Sequence, residues 1–302
     1  MKLLLTGAFK YSEEQIEYIK SLGNEIVFVQ DEREKLSFNP DDIEGVICNG
    51  LFLYNDIKDF KSLKYIQLTS AGFDRVPLDY INEKGIKIFN ARGVYSIPMA
   101  EFAVCGILNL IKQTDFFYEN KKNAIWEKSR TLGELAGKKA VIVGAGNIGG
   151  EVAKRLRAFD MQVIGVDLYT NENPYFDRVE SLDMLDFELN AADVVVLTLP
   201  LNEQTKGMFN KAKFELLKKD AIFVNIARGG LVVENDLISA LKDNTIGGAV
   251  LDVFESEPLD EKSELWNIEN AVITPHNSFV GCGNSKRMFN LIIENLEQFK
   301  NE

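Results

Sequence analysis

The chain holds one histidine, His276, at the end of the run Val272-Ile273-Thr274-Pro275-His276. Imidazole is the side chain best suited to giving and taking a proton near neutral pH. Two other chemically capable side chains also stand just past a short apolar run. Arg228 follows Ala221–Val224 within Asn225-Ile226-Ala227-Arg228-Gly229-Gly230, and Glu257 follows Gly247–Leu251 within Asp252-Val253-Phe254-Glu255-Ser256-Glu257-Pro258. In an open parallel α/β sheet, ligands bind outside the carboxyl ends of the strands. Three such ends would present a cation, a carboxylate and an imidazole to one crevice. A guanidinium clamps a carboxylate bidentately. Imidazole protonates a carbonyl oxygen as hydride reaches the carbon, and a neighbouring carboxylate favours the charged imidazole. The set suits interconversion of a 2-keto acid and a 2-hydroxy acid; its plain alternative is a salt-bridge network at a domain edge.

Hydride chemistry needs a carrier, and a second motif offers it a seat. The β-branched run Ala140-Val141-Ile142-Val143 leads directly into Gly144-Ala145-Gly146-Asn147-Ile148-Gly149, after which Ile148, Val152, Leu156 and Phe159 recur at helical spacing. Strand, G-x-G-x-x-G and helix in that order form a dinucleotide-binding turn. The first Gly makes the bend, the second admits a pyrophosphate, and the third lets helix pack on strand. Free N–H groups at the helix start, Asn147 and Ile148 among them, face the phosphates. The next strand-like run, Gln162–Val166, ends in Asp167. A carboxylate there accepts from ribose hydroxyls and repels a 2′-phosphate, which predicts NAD rather than NADP.

These residues need elements to carry them. Before the glycine loop, strand-like runs fall at Leu3–Thr6, Glu25–Val29, Gly45–Cys48, Tyr65–Leu68 and Ile86–Phe89, with helical patterns at Glu13–Leu22 and Pro77–Lys84. Past Gly137, strands are expected near 140–143, 163–167, 193–198, 221–225, 247–251 and 271–274. Ser96 caps a helix with Pro98 in its first turn. That helix is apolar nearly all round (Phe102, Val104, Ile107, Leu108, Leu110, Ile111), so burial between domains or subunits is expected. The tail from Asn284 carries Met288, Leu291, Ile292, Leu296 and Phe299 on one face and is expected to return to the first domain. The fold class expected is α/β with two doubly wound parallel-sheet domains. A discontinuous domain of 1–95 plus 277–302 accompanies a Rossmann NAD-binding domain of 96–276.

Composition bounds the reading. The 302 residues suit two cores, and a net charge of −12 disfavours nucleic acid and anionic membranes as partners. Cys48, Cys105 and Cys282 lie far apart without a C-x-x-C pair, which suggests neither a disulfide framework nor a metal site and fits a reducing cytoplasm. Met1–Gly7 is too short an apolar run for a signal peptide, and no run is long enough to span a membrane.

Taken together, these motifs resemble the D-isomer-specific 2-hydroxyacid dehydrogenases. The likeness runs through Thr69-Ser70-Ala71-Gly72-Phe73-Asp74, Asn90-Ala91-Arg92-Gly93-Val94-Tyr95, Met99-Ala100-Glu101 and the glycine loop. It continues through Leu197-Thr198-Leu199-Pro200-Leu201, Asn225–Gly229 and Asp252–Leu259 to Thr274-Pro275-His276. The resemblance implies a flavodoxin-like substrate domain, NAD as cofactor, and a homodimer built on the cofactor domains. By the same resemblance Arg228, Glu257 and His276 are the catalytic set, and Ser70, Ala71 and Gly72 form a carboxylate-binding loop. Asp252 meets the nicotinamide carboxamide, and Thr198, Pro200 and Ala227 line the cofactor cleft. Tyr95 and Arg92 are pocket candidates, Arg92 for a phosphate or a second carboxylate. Phosphoglycerate-specific members place an arginine after the third strand; here Asn49-Gly50-Leu51-Phe52-Leu53-Tyr54 has no cation, and Leu51–Leu53 read as pocket wall or core. The sequence ends after the returning helix, so the branch without a C-terminal regulatory module is expected. Formate dehydrogenase shares the architecture but pairs its histidine with glutamine, which Glu257 argues against. A non-enzymatic alternative is an NAD(H)-sensing binding protein on the same scaffold.

Overall fold

Short aliphatic runs build the first sheet: β1 (Lys2–Thr6), β2 (Glu25–Val29), β3 (Gly45–Cys48), β4 (Tyr65–Leu68) and β5 (Lys87–Phe89). All pair in parallel, in the order β2-β1-β3-β4-β5, the flavodoxin-like arrangement. In the computed structural model, which describes residues 1–301, the chain divides into two units. One is Met1–Tyr95 with residues 281–301, and the other is Ser96–Val280. Helix α1 (Glu13–Ser21) starts at a capping box in which Ser12 and Gln15 satisfy each other's backbone N–H groups. Helix α2 (Leu78–Lys84) stops at Gly85, whose φ of +64° is the left-handed cap that glycine adopts freely. Strands β3 and β4 are buried along their whole length, as in a sheet covered on both faces.

The second unit opens with α3 (Ser96–Ile111) and α4 (Thr114–Lys122), followed by the Rossmann sheet. Its strands are β6 (Lys139–Val143), β7 (Gln162–Asp167), β8 (Arg178–Ser181), β9 (Val194–Leu197), β10 (Ile222–Asn225), β11 (Gly248–Leu251) and β12 (Ala271–Ile273). All are parallel, in the order β12-β11-β10-β9-β6-β7-β8, so connections run outward in both directions from the β6/β9 boundary. Sequence periodicity predicts six strands here; the seventh is β8. Its sequence, Arg-Val-Glu-Ser, has a single β-branched apolar residue because an edge strand needs no continuous apolar run. Helices α5 (Asn147–Arg157), α6 (Leu185–Leu189), α7 (Lys211–Glu215) and α8 (Glu234–Lys242) connect the strands.

Helix α3 packs within this unit against α5, β10 and β11, while Phe102, Leu108, Leu110 and Ile111 along it remain only partly buried. Gly106 makes the approach close: a Cβ there would lie 2.4 Å from Val250 Cγ1. By contrast α4 buries no residue, and Trp126 just after it is 96% exposed. The chain leaves the second unit after Val280, not after residue 276, and ends in α9 (Asn284–Asn301). Met288, Ile292 and Leu296 of α9 are buried with Leu3, Leu5 and Ile19 in the first unit's core. There Asn295 Nδ2 also donates to buried Gln67 Oε1 at 2.7 Å.

Candidate active site

Six of the seven parallel strands in the second unit deliver a candidate residue at their carboxyl ends. Strand β6 runs into Gly144, β7 ends in Asp167, β9 is followed by Thr198, and β10 by Arg228. Strand β11 leads into Asp252 and Glu257, and β12 into His276. The edge that a parallel sheet uses for ligands therefore carries the second unit's candidate cofactor and proton-transfer residues.

The glycine turn has the shape a dinucleotide requires. Gly144 has φ +107°, and a Cβ on it would lie 2.7 Å from Leu199 N. On Gly149 a Cβ would come 2.0 Å from Gly144 O, so helix and strand meet there with no side chain between them. A Cβ on Gly146 meets nothing within 4 Å, which leaves open space beside the start of α5. No side chain caps that helix start, so the N–H groups of Asn147 and Ile148 stay available for phosphate oxygens. Thr198 Oγ1 donates to Gly144 O at 2.6 Å, and Asp167 Oδ2 accepts from Ala145 N at 2.6 Å. Both residues thereby shape the turn from neighbouring strands. Open space, uncapped N–H donors and a carboxylate at the end of β7 fit a dinucleotide. Pro200 is exposed and Ala227 buried, each just beyond its strand.

His276 and Glu257 meet directly. The imidazole Nδ1 lies 2.7 Å from Glu257 Oε2, while Oε1 accepts from Phe254 N at 3.1 Å. The contact puts the Nδ1 proton toward the carboxylate and leaves Nε2 for a ligand. The His276 side chain is 42% exposed, so that nitrogen is reachable. His276 has φ +51°, a left-handed conformation uncommon in non-glycine residues and enriched for histidine. Arg228 is exposed; its Nη1 donates to Ala227 O at 2.7 Å, and among the described residues no carboxylate pairs with its guanidinium. An unneutralised planar cation is what an anionic ligand needs.

Several residues that hold this set give little sign of it in the sequence. Asn225 is 1% exposed; its Nδ2 donates to Arg228 O and its Oδ1 accepts from Ala227 N, which shapes the turn carrying Arg228. At Gly229 a Cβ would lie 1.9 Å from Phe254 C and O, so the Arg228 and Glu257 turns are in backbone contact. Asp252 is fully enclosed, and its carboxylate accepts from Thr274 Oγ1, Asn277 N and Ser278 N. These residues stand within motifs legible in the sequence, but their partners in space are not legible there; Phe254, against Gly229, lies one strand connection away.

In the first unit, Ser70, Ala71 and Gly72 form the turn after β4. Asn90 Nδ2 donates to Ala71 O at 2.6 Å and Ala91 N to Ser70 O at 2.8 Å, while the N–H groups of Ala71 and Gly72 meet no acceptor among the described residues. The Tyr95 hydroxyl donates to Thr69 O at 2.5 Å, and burial pushes its phenol up from the usual range. Arg92 is exposed, with its backbone N–H on Asn90 Oδ1. The apolar turn after β3 divides its duties: Leu51 is core, whereas Leu53 is 59% exposed. Among the described residues no group of His, Cys, Asp and Glu side chains could hold a metal ion, and no helix is long and apolar enough to cross a membrane.

Comparison with known proteins identifies the family. Residues 104–278 match the profile of the D-isomer specific 2-hydroxyacid dehydrogenase NAD binding domain. A D-3-phosphoglycerate dehydrogenase of Archaeoglobus fulgidus is 33% identical over 284 residues, covering 91% of this chain and 53% of that protein. A glyoxylate reductase of Pyrococcus horikoshii is 32% identical over 246 residues, 79% of this chain and 73% of that protein. The chain thus spans about half the length of the phosphoglycerate dehydrogenases it matches. The crystal structure of a glyoxylate reductase from Paecilomyes thermophila superposes with a TM-score of 0.83 at 26% identity, covering 98% of this chain and 94% of that one. The chain belongs to the D-isomer specific 2-hydroxyacid dehydrogenase family, and residues 104–278 are its NAD binding domain.

Proposed function

We propose that the protein reduces a small 2-keto acid to a D-2-hydroxy acid, and runs the reverse oxidation, with NADH and NAD as the cofactor pair. The observation that carries this reading is the 2.7 Å contact between His276 Nδ1 and Glu257 Oε2, with Arg228 left unpaired at the next strand end. Reduction adds a hydride to the carbonyl carbon and a proton to its oxygen. When bound, the reduced nicotinamide supplies the hydride. His276 gives the proton from Nε2 and takes it back in the oxidation, with Glu257 fixing the ring through Nδ1. Arg228 holds the substrate carboxylate through its planar fork. In the first unit, the unpaired N–H groups of Ala71 and Gly72 are donors for a carboxylate, and Ser70 and Tyr95 shape that turn.

Gly144, Gly146, Asn147, Ile148 and Gly149 hold the pyrophosphate, and Asp167 holds the adenosine ribose, which supports NADH over NADPH. Thr198, Pro200 and Ala227 complete the cofactor side. A homodimer is the proposed assembly: a second copy would cover the arm formed by α4 and the exposed Trp126. Cytoplasmic residence fits the three free cysteines.

The test is loss of NADH absorbance with a panel of 2-keto acids, beginning with glyoxylate, hydroxypyruvate and its phosphate ester, which the relatives' names suggest. Turnover on a panel member supports the reading. NADH binding without turnover of any keto acid would favour a sensing role instead.

A further inference from the structure

We propose that Asp252 is a positioning residue, a buried carboxylate latch that holds the 274–278 segment in the shape that aims His276. The side chain has no exposed surface. Its Oδ1 accepts from Thr274 Oγ1 at 2.7 Å and Asn277 N at 2.8 Å, and its Oδ2 from Ser278 N at 2.9 Å. The Asp252 main chain joins in, because its carbonyl accepts from His276 N at 2.8 Å. One residue therefore grips the segment before, at and after the histidine. The grip has a purpose in backbone terms: His276 sits at φ +51°, a conformation that persists in a non-glycine residue only where surrounding contacts enforce it.

Resemblance to the family assigns Asp252 to the nicotinamide carboxamide, and the latch is a further duty of the same carboxylate. The side chain is enclosed, and three donors from one short segment converge on its two oxygens, enough to fix that segment whatever else the carboxylate meets. Among the described residues no cation pairs with this carboxylate, so neutral N–H and O–H donors alone balance its charge. That explains the choice of residue. An asparagine would turn an NH₂ group toward at least one of those donors, leaving buried polar groups unsatisfied. The inference rests on His276 being the proton donor, but it can be tested on the histidine itself.

The chain has a single histidine, so its imidazole NMR signals need no assignment, and His276→Asn supplies the blank. The experiment compares the full chain with Asp252→Asn and Thr274→Val, all without cofactor, at one pH. NADH affinity is then measured by fluorescence, and kcat with the best keto acid. The latch predicts shifted and broadened His276 signals in Asp252→Asn before any cofactor is added, and the same change to a lesser degree in Thr274→Val. It also predicts a kcat lower by on the order of 10²-fold, the usual consequence of misplacing a reacting group by about 1 Å. A role confined to the cofactor would instead lower NADH affinity and leave the imidazole signals of the cofactor-free protein at their parental positions. Unchanged imidazole signals in folded Asp252→Asn, or a loss confined to NADH affinity, would overturn the proposal. If Asp252→Asn does not fold, Thr274→Val decides on the same signals. If no keto acid is turned over by the parent, the functional reading falls while the imidazole signals still decide the latch.

Discussion

Gly229→Ala is a one-methyl change placed where the Arg228 and Glu257 turns touch. The new Cβ would lie 1.9 Å from the carbonyl carbon and oxygen of Phe254 and 2.5 Å from Glu255 N. Carbon contacts are comfortable at about 3.5 Å, so the Phe254–Glu255 backbone must retreat by roughly 1.5 Å. Backbone cannot swing aside as a long side chain does. Glu257 is coupled to the moving segment, because its Oε1 accepts from Phe254 N, and it carries His276 through Nδ1. Gly229 is not among the glycines with positive φ, so alanine adds no dihedral strain and the effect is purely this collision. Overpacking of this kind destabilises by about 1–3 kcal/mol. A displacement above about 1 Å between reacting groups lowers kcat by roughly 10²-fold or more. Steady-state keto acid reduction, NADH fluorescence titration and urea unfolding read the three quantities separately. The expected result is a large loss of kcat, near-parental NADH affinity and a modest loss of stability. A folded variant with parental kcat would refute the claim that contact between these turns sets the active geometry.

Other perturbations address separate parts of the account. Asp167→Ala should narrow the preference for NADH over NADPH by removing a ribose acceptor and a charge; equal efficiency with both cofactors in the parent would contradict that role. Arg228→Lys keeps the charge but loses the planar fork, so keto acid turnover and affinity should fall while NADH binding holds; the opposite pattern would move Arg228 to the cofactor site. Glu188 is a fold test. Burial pushes its carboxyl up, but hydrogen bonds from Lys139 and Arg178 outweigh that and hold it below the usual range. A lowered folded value stabilises above the ordinary carboxylate range near pH ~4 and ceases to as pH falls through the folded value. Glu188→Gln should therefore cost about 3 kcal/mol at neutral pH and much less in acid; an equal deficit at both would refute the pairing.

The sheets were legible because their central strands are buried on both faces and read as unbroken apolar runs, as in Gly45–Cys48 and Val194–Leu197. Strand β8 was not, because its edge position is held by Arg178 reaching Glu188 rather than by apolar side chains. The apolar α3 was legible only in part: composition shows that a helix must be covered, but not that α5, β10 and β11 of its own unit cover one side of it. At the site, each chemical group could be placed because it stands within a few residues of a strand's carboxyl end. What supports those groups could not. Asn225 bracing Arg228, Gly229 against Phe254, and Asp252 gripping residues 274–278 are contacts through space whose partners are distant or ordinary in sequence.

The central claim is that His276 is the proton donor and acceptor of the reaction, and His276→Asn tests it without ambiguity because no second histidine exists to substitute. The measurement is kcat/KM for reduction of the best keto acid in the panel, with NADH affinity determined on the same preparation. The expected result is a fall of roughly 10²–10⁴-fold, the usual range of acid–base assistance, with NADH binding intact. Near-parental kcat/KM in a variant that still binds NADH would contradict it.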